Sequence, residues 1–126
     1  MPVPADIARS AYVSLTTFRR DGTPVATPVW HVVNGDEMFI VSESDAGKVK
    51  RIRRDSHVVV TVCGRLGSIA DGAATADGVA RLLDDDQTQA GRALIARKYA
   101  TARIGYWFAR TFRLRRPPVT GIAVTF

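Results

Sequence analysis

The chain has 126 residues, of which 46% are hydrophobic, and it carries a formal net charge of +6. This size predicts a single domain over residues 1–126, and no apolar run approaches the ~18 residues that a membrane-spanning helix needs. One cysteine, Cys63, and two well-separated histidines exclude a disulfide framework and a histidine–cysteine metal site, which indicates a reducing, cytoplasmic setting.

Two turn signals divide the first third of the chain into three predicted strands. Asp21-Gly22 separates Tyr12–Phe18 from Val25–Val33, and Asn34-Gly35 separates the second strand from Glu37–Val41. Asp, Asn and Gly tolerate the positive φ angles that tight hairpin turns require. We therefore expect the three strands to form an antiparallel meander.

The second predicted strand contains a proline and a tryptophan directly before a histidine. Proline has no N–H for a sheet ladder, so Pro28 predicts a bulge or an unpaired position, which leaves the backbone of Thr27 and Val29 available for other hydrogen bonds. Trp30 adds a large flat surface. His31 titrates near neutral pH, which makes it a candidate catalytic proton donor. An edge strand with a core tryptophan and a structural histidine explains the same residues.

A short helix is predicted next, from about Lys48 to Arg54, and it carries five cations. Val49 and Ile52 share one side of this helix, which predicts packing onto the sheet. Lys48 and Arg51 lie beside that apolar side, and the start of a helix attracts anions through its N–H groups. The cations on the outer side are Lys50 and Arg54. The pattern predicts a phosphate site at Lys48 and Arg51, although a solvated basic helix accounts for the same charges.

Three strands and two helices complete the predicted elements. Asp84-Asp85-Asp86 opens the first of these helices at its electropositive start, and Pro117-Pro118 ends the second. The predicted buried positions of the first helix are Ala90, Leu94 and Tyr99. The elements are strands His57–Cys63, Ala73–Leu83 and Val119–Phe126 and helices Gln87–Tyr99 and Ile104–Leu114. Six strands with short turns and inserted helices favour an antiparallel β-barrel over a parallel α/β sheet.

The last third of the chain is strongly basic, with no acidic residue after Asp86. Such a charge attracts polyanions, anionic cofactors or membrane surfaces. The segment Ile104–Arg116 combines aromatic residues with arginines, as helices that lie weakly on a membrane surface do, and Tyr106, Trp107 and Phe108 are candidate lining residues of a substrate pocket. Ordinary packing of an amphipathic helix explains the same aromatics. No nucleic-acid motif accompanies the basic residues, so we expect no nucleic-acid partner.

Two segments taken together, Leu15–Trp30 and Gly47–Asp55, resemble the split β-barrel flavin and deazaflavin oxidoreductases of the pyridoxamine-phosphate-oxidase-like group. The resemblance runs from Tyr12 to about Leu83, with a weaker echo to Phe126, and it is closest to the F420-dependent branch of actinobacteria. It implies a mainly β fold, a six-stranded antiparallel split β-barrel of the FMN-binding type. It also implies a homodimer with two cofactor sites at the subunit interface.

The resemblance also implies a site and an activity. The strand equivalent to Thr27–Trp30 lines the isoalloxazine-like ring through its backbone, and the residues equivalent to Ser42, Gly47, Lys48 and Arg51 hold the ribityl phosphate. The implied reaction is hydride transfer from reduced coenzyme F420 to a small unsaturated or quinone-like acceptor. An FMN-dependent oxidase or reductase of the same fold, and a non-catalytic protein that binds flavin, deazaflavin or haem, remain alternatives.

Overall fold

The computed structural model describes residues 2–99 and 119–126. Its elements in chain order are α1 (Ala5–Arg9), β1 (Val13–Phe18), β2 (Pro24–Val29), β3 (Val32–Asn34), β4 (Glu37–Glu43), α2 (Gly47–Arg54), β5 (His57–Val62), β6 (Thr75–Leu82), α3 (Asp85–Tyr99) and β7 (Val119–Thr125). The predicted helix Ile104–Leu114, with the residues assigned to a substrate pocket or a membrane surface, lies outside the described residues. Within the described ranges, no helix is both long and apolar enough to cross a membrane.

The seven strands form one antiparallel sheet in the order β2-β1-β5-β6-β7-β4-β3. The two edge strands, β2 and β3, follow each other in the chain and are separated only by Trp30 and His31. A two-residue connection between opposite edges requires the sheet to curl until those edges approach each other. The predicted split β-barrel is therefore confirmed, with seven strands rather than six.

The additional strand arises because the predicted strand Val25–Val33 is two strands in the structure. β2 pairs with β1, where Pro28 lies opposite Ser14, whereas β3 pairs with β4, where Val32 lies opposite Phe39. The predicted three-stranded meander is therefore wrong, since β2 and β3 occupy opposite ends of the sheet. The break falls at His31, whose buried side chain is hydrogen-bonded to the end of α1 instead of standing in a continuous ladder.

Alternate residues of the central strands form one hydrophobic core, following the two-residue period of a strand. The buried strand residues of this core are Val13, Leu15, Met38, Ile40, Val58, Val60, Ala80, Ile122 and Val124. Val49 and Ile52 of α2 are 0% and 4% exposed, which confirms that the apolar side of this helix packs onto the sheet. Helix α1, which the sequence analysis did not predict, contributes the buried Ile7.

Helix α3 packs on β4 and β7 through a second, smaller cluster. Ile95 of α3 and Phe39 of β4 are buried in it, and a Cβ atom at Gly91 would overlap the Phe39 ring. Thr88 is buried as well, and its Oγ1 accepts a hydrogen bond of 2.8 Å from a β7 backbone N–H. The prediction that Ala90 is buried is wrong: Ala90 is exposed, because α3 turns Thr88, Gly91 and Ile95 toward the sheet.

Candidate functional site

Helix α2 begins with backbone N–H groups that no described side chain caps. Ala46 occupies the N-cap position, and the first turn carries no acidic residue. Ser44, a residue that could have capped the helix, instead forms a hydrogen bond of 2.7 Å with Thr120 of β7. The start of α2 therefore presents unsatisfied donors and a partial positive charge, both of which attract an anion.

Lys48 adds a cation to this helix start from a partly buried position. Its Nζ lies 3.5 Å from Oγ of Ser42, which is 6% exposed at the end of β4. Burial and the neighbouring charge of Arg51 lower the pKa of Lys48, while Glu43 acts in the opposite direction. A bound anion would offset both unfavourable effects, since it neutralises the charge that burial and Arg51 disfavour.

Arg51 folds back over the same helix start. Its Nε donates a hydrogen bond of 2.6 Å to Oγ1 of Thr17, a fully buried residue of β1. A Cβ atom at Gly47 would lie 2.7 Å from the nearer terminal nitrogen of Arg51, so the absence of a side chain at Gly47 makes room for this guanidinium. The structure thus brings together Gly47, Lys48, Arg51 and Ser42, the four residues predicted for phosphate binding.

The other predicted cofactor segment lies on edge strand β2. Thr27, Pro28 and Val29 pair with Leu15, Ser14 and Val13 of β1 in an unbroken register. Pro28 therefore sits in an edge strand, and the outer backbone groups of β2 are not used by the described sheet. Trp30 follows the strand, half-buried against the cluster of Phe39 and Ile95.

Strand β1 connects the two parts of the candidate site. Thr17, which binds Arg51, lies two residues from Leu15, which pairs with Thr27. At the rise of an antiparallel strand these two residues of β1 are about 7 Å apart. The residue that binds Arg51 and the residue that pairs with Thr27 are therefore near neighbours on one strand.

His31, which directly follows Trp30, lies in a closed environment between the end of α1 and α3. Its side chain is fully buried, and its Nε2 lies 2.9 Å from the carbonyl oxygen and 3.1 Å from Oγ of Ser10. Lys98 Nζ donates a hydrogen bond of 2.8 Å to the His31 carbonyl oxygen. Burial, followed by the charge of Lys98, lowers the pKa of His31 to about 4. The imidazole is thus neutral near pH 7, and its contacts hold α1, the β2–β3 connection and α3 together.

A shallow cleft of about 440 Å³, widely open to solvent, lies on the outer side of α2 and is lined by six cationic residues. We call it the arginine cleft, and its residues are Arg19, Arg20, Lys50, Arg51, Arg53 and Arg54. Lys50 and Arg54 were predicted to lie on the outer side of the helix, whereas Arg19 and Arg20 were not predicted to belong to any site. The available signal was that these two arginines directly precede the Asp21-Gly22 turn between β1 and β2, and in the structure this turn follows Phe18, whose carbonyl oxygen accepts a hydrogen bond from Arg54 of α2.

The sequence profile of the pyridoxamine 5′-phosphate oxidase family matches residues 4–125 of the chain. No curated protein matches it. The match spans both parts of the candidate site, from β1 and β2 through α2 to β7. Among the described residues, no group of three or more His, Cys, Asp or Glu side chains could hold a metal ion.

Solved structures share the fold at low sequence identity. The haem storage protein HutZ of Vibrio cholerae is 14% identical, with a TM-score of 0.71 over 95% of this chain and 84% of that one. A conserved hypothetical protein of Mycobacterium tuberculosis is 19% identical, with a TM-score of 0.70 over 98% of this chain and 79% of that one. An F420 reductase is 17% identical, with a TM-score of 0.59 over 98% of this chain and 94% of that one.

Proposed function

The chain belongs to the pyridoxamine 5′-phosphate oxidase family, and on that basis we propose that it is an oxidoreductase that transfers hydride from reduced coenzyme F420 to a small unsaturated or quinone-like acceptor. The observation that carries this proposal is the cluster of Ser42, Gly47, Lys48 and Arg51 at the start of α2, next to edge strand β2. The fold likeness to an F420 reductase, over nearly the whole length of both chains, is the reason for placing F420 before FMN.

Phosphate binding is the part of the proposed function for which the chain supplies the most binding groups. Lys48 and Arg51 neutralise the phosphate, and the N–H groups at the start of α2 donate hydrogen bonds to its oxygens. Thr17 holds the Arg51 guanidinium in place before the ligand arrives, and Gly47 leaves the space for it. Because Thr17 and Ser42 are buried, this part of the site is largely formed in advance.

Strand β2 then orients the ring. β2 has no described neighbour on its outer edge, where backbone groups of alternate residues within Thr27–Val29 are available to a ligand, and Trp30 borders the end of this surface. When bound, F420H2 supplies the hydride, while the protein positions the acceptor and excludes water. His31 stays a predicted proton donor that no observation tests, and its buried, neutral state favours a role in the fold.

The proposed active form is a homodimer with a cofactor site at each side of the interface. The loop between β5 and β6 exposes large apolar side chains, with Leu66 91% and Ile69 52% accessible to solvent. Gly67 of the same loop lies against Pro28 of β2. An apolar surface beside the proposed ring site is suited to burial by a second copy of the chain, which would also shield the ring from water.

A fluorescence titration of the purified protein with F420, in parallel with FMN, tests the function. We expect micromolar or tighter binding of F420, weaker binding of FMN, and hydride transfer from F420H2 to a quinone acceptor. A preference for FMN would place the protein among flavin-dependent oxidases or reductases. Binding of neither cofactor would contradict the proposal.

Haem binding without turnover is the alternative, because HutZ shares the fold. The chain contains two histidines, His31 and His57. His31 is buried and bonded to Ser10, and His57 Nε2 lies 3.1 Å from Asp77 Oδ1 while its ring stacks on Phe18. Either histidine would have to leave these contacts to bind haem iron through that nitrogen. A Soret band on addition of haem, lost in His57→Ala, would favour this alternative over the reductase.

A further inference from the structure

The arginine cleft is a second concentration of positive charge, and five of its six cations have no part in the proposed phosphate site. We propose that it binds a ligand carrying several closely spaced anionic groups, in a site separate from the phosphate site at Lys48. The two sites share only Arg51. The proposal goes beyond the proposed function, because the cleft is defined by residues on a different side of α2 and by the turn between β1 and β2.

Helix electrostatics explain only part of the cleft. Cations in the last turn of a helix are stabilised by the partial negative charge at its end, and Arg51, Arg53 and Arg54 occupy that turn of α2. The same effect gives no reason for Arg19 and Arg20 to face them from another element. Like charges gathered around one cleft repel each other, and a bound anion would relieve that repulsion.

The carboxylates nearest in sequence do not neutralise the cleft. Asp21 Oδ1 accepts a hydrogen bond of 3.0 Å from the Thr23 N–H, and Asp55 Oδ1 accepts one of 3.1 Å from the His57 N–H. The hydrogen bonds from Thr23, with a smaller contribution from Arg19, lower the pKa of Asp21. Across residues 2–99 and 119–126, no ion pair joins a carboxylate to a residue of the arginine cleft.

Two of the guanidinium groups are held in place by β1. Arg54 donates a hydrogen bond of 2.6 Å to the Phe18 carbonyl oxygen, and Arg51 donates one of the same length to Thr17. The other four cations that line the cleft are Arg19, Arg20, Lys50 and Arg53, and all four are exposed. Five of the six cations are arginines, whose planar donors match phosphate and carboxylate oxygens in pairs, so the cleft suits a chain of such groups better than one isolated anion.

Calorimetric titration with tripolyphosphate tests the cleft without any cofactor. We expect saturable binding in low-salt buffer, weakened about tenfold in Arg20→Gln/Arg53→Gln, because each removed guanidinium takes away charge-assisted hydrogen bonds. The matched control is Arg65→Gln/Arg97→Gln, which removes the same charge from exposed positions outside the cleft and should change affinity by less than about twofold. Equal losses in both variants, or no saturable binding to the wild type, would overturn the proposal.

Separation from the phosphate site is tested in the same titration with Lys48→Ala. Lys48→Ala removes only what the phosphate site itself contributes to tripolyphosphate binding, so a saturable component should remain in this variant, because Lys48 points inward to Ser42 and does not line the arginine cleft. A loss as large as that of Arg20→Gln/Arg53→Gln would put the ligand at the phosphate site and refute a separate cleft. Melting temperatures of all variants check that the fold is intact; the substituted cleft residues are exposed, so we expect little change.

The anionic groups of the ligand have two candidate sources, and Arg20→Gln/Arg53→Gln distinguishes them. If they belong to an extension of the cofactor, Arg20→Gln/Arg53→Gln will weaken F420 with a long oligoglutamate tail more than F420 with a short tail. If they belong to a separate polyanion, both forms of F420 will bind the variant equally while tripolyphosphate binding is lost. Either result supports the proposal that the arginine cleft binds a ligand with several anionic groups. The tripolyphosphate readout stands even if the protein binds no F420, so failure of the proposed function and failure of this proposal are distinguishable.

Discussion

Lys48 and Lys50 lie two residues apart on α2 but face different surroundings. Lys48 is partly buried beside Ser42, whereas Lys50 is exposed in the arginine cleft. The difference follows from the helical period, since residues two apart point to different sides. A neutral substitution at each position therefore separates the proposed phosphate site from the general charge of the helix.

We expect Lys48→Ala to weaken binding of FMN or F420 by about 1–3 kcal/mol, the range for a lost charge-assisted hydrogen bond. Lys50→Ala is the control and should leave FMN binding nearly unchanged, because FMN carries one phosphate and no anionic tail. Fluorescence titration measures both. Equal losses at the two positions would disprove the inward and outward assignment of these lysines.

His31 links protonation to stability. Its folded pKa of about 4 lies below its ordinary value of 6.5, so the unfolded chain binds a proton in this range while the folded chain does not. The stabilisation is complete above about pH 6.5 and is lost as the pH falls toward 4. Between pH 7.5 and 5.5 we expect the free energy of unfolding to fall by about 1 kcal/mol from this group.

Urea unfolding at the two pH values measures this loss. His57→Gln is the control, because His57 is exposed and its replacement leaves His31 in place, so the loss should persist. His31→Gln should be less stable at pH 7.5 and should show a smaller loss on acidification. A wild type with the same stability at pH 7.5 and 5.5 would contradict the buried neutral histidine.

At the scale of elements, α3 is held to the sheet by a contact between a ring and a glycine. The Phe39 ring occupies the position that a side chain at Gly91 would need. A glycine inside a helix costs about 1 kcal/mol relative to alanine, so its presence here is explained by packing and not by helix propensity. The hydrophobic pattern of α3 favoured Ala90 for the buried face because it contains no information about the ring on β4.

We expect Gly91→Ala to destabilise the protein by about 1–3 kcal/mol, because overpacking against Phe39 outweighs the gain in helix propensity. Phe39→Leu combined with Gly91→Ala should recover part of the loss. The control is Ala93→Gly at an exposed position of α3, which should cost about 1 kcal/mol through propensity alone. Urea unfolding curves compare the variants, and a more stable Gly91→Ala protein would refute the ring contact.

The break between β2 and β3 is also set by contacts between secondary-structure elements. Val25–Val33 is rich in Val, Thr and Trp, which favour strands, so a single strand with an irregularity at Pro28 was the natural prediction. The chain leaves the ladder because His31 binds Ser10 and because Lys98 of α3 binds the His31 carbonyl oxygen. Both partners are distant in sequence, and local propensity contains no information about them.

At the scale of the whole molecule, the curled sheet leaves an apolar loop exposed next to edge strand β2. Leu66 is the most exposed of its large apolar residues at 91%, so it adds little to the stability of one subunit. An apolar side chain that is so exposed is explained by contact with another molecule. The proposed homodimer assigns it to the interface between two copies.

We expect Leu66→Asp to shift the protein toward monomer, because a charge at the centre of an apolar contact is costly to bury. Size-exclusion chromatography with light scattering measures the mass. Ala70→Asp is the control, since it adds the same charge to the same loop without removing a large apolar side chain. An unchanged dimer in Leu66→Asp, or a wild type that is monomeric at micromolar concentration, would contradict the proposed interface.

The residue pattern was sufficient for the fold class, the helix α2 with its buried Val49 and Ile52, and the grouping of Lys48 and Arg51. These features depend on periodicity and on turn residues, which act over a few neighbouring positions. Only the tertiary structure decided the division of Val25–Val33 into two edge strands, the burial of His31, the space that Gly47 and Gly91 provide, and the meeting of Arg19 and Arg20 with α2. Each of these depends on side chains that are distant in the chain and close in space, and a local pattern cannot specify such contacts.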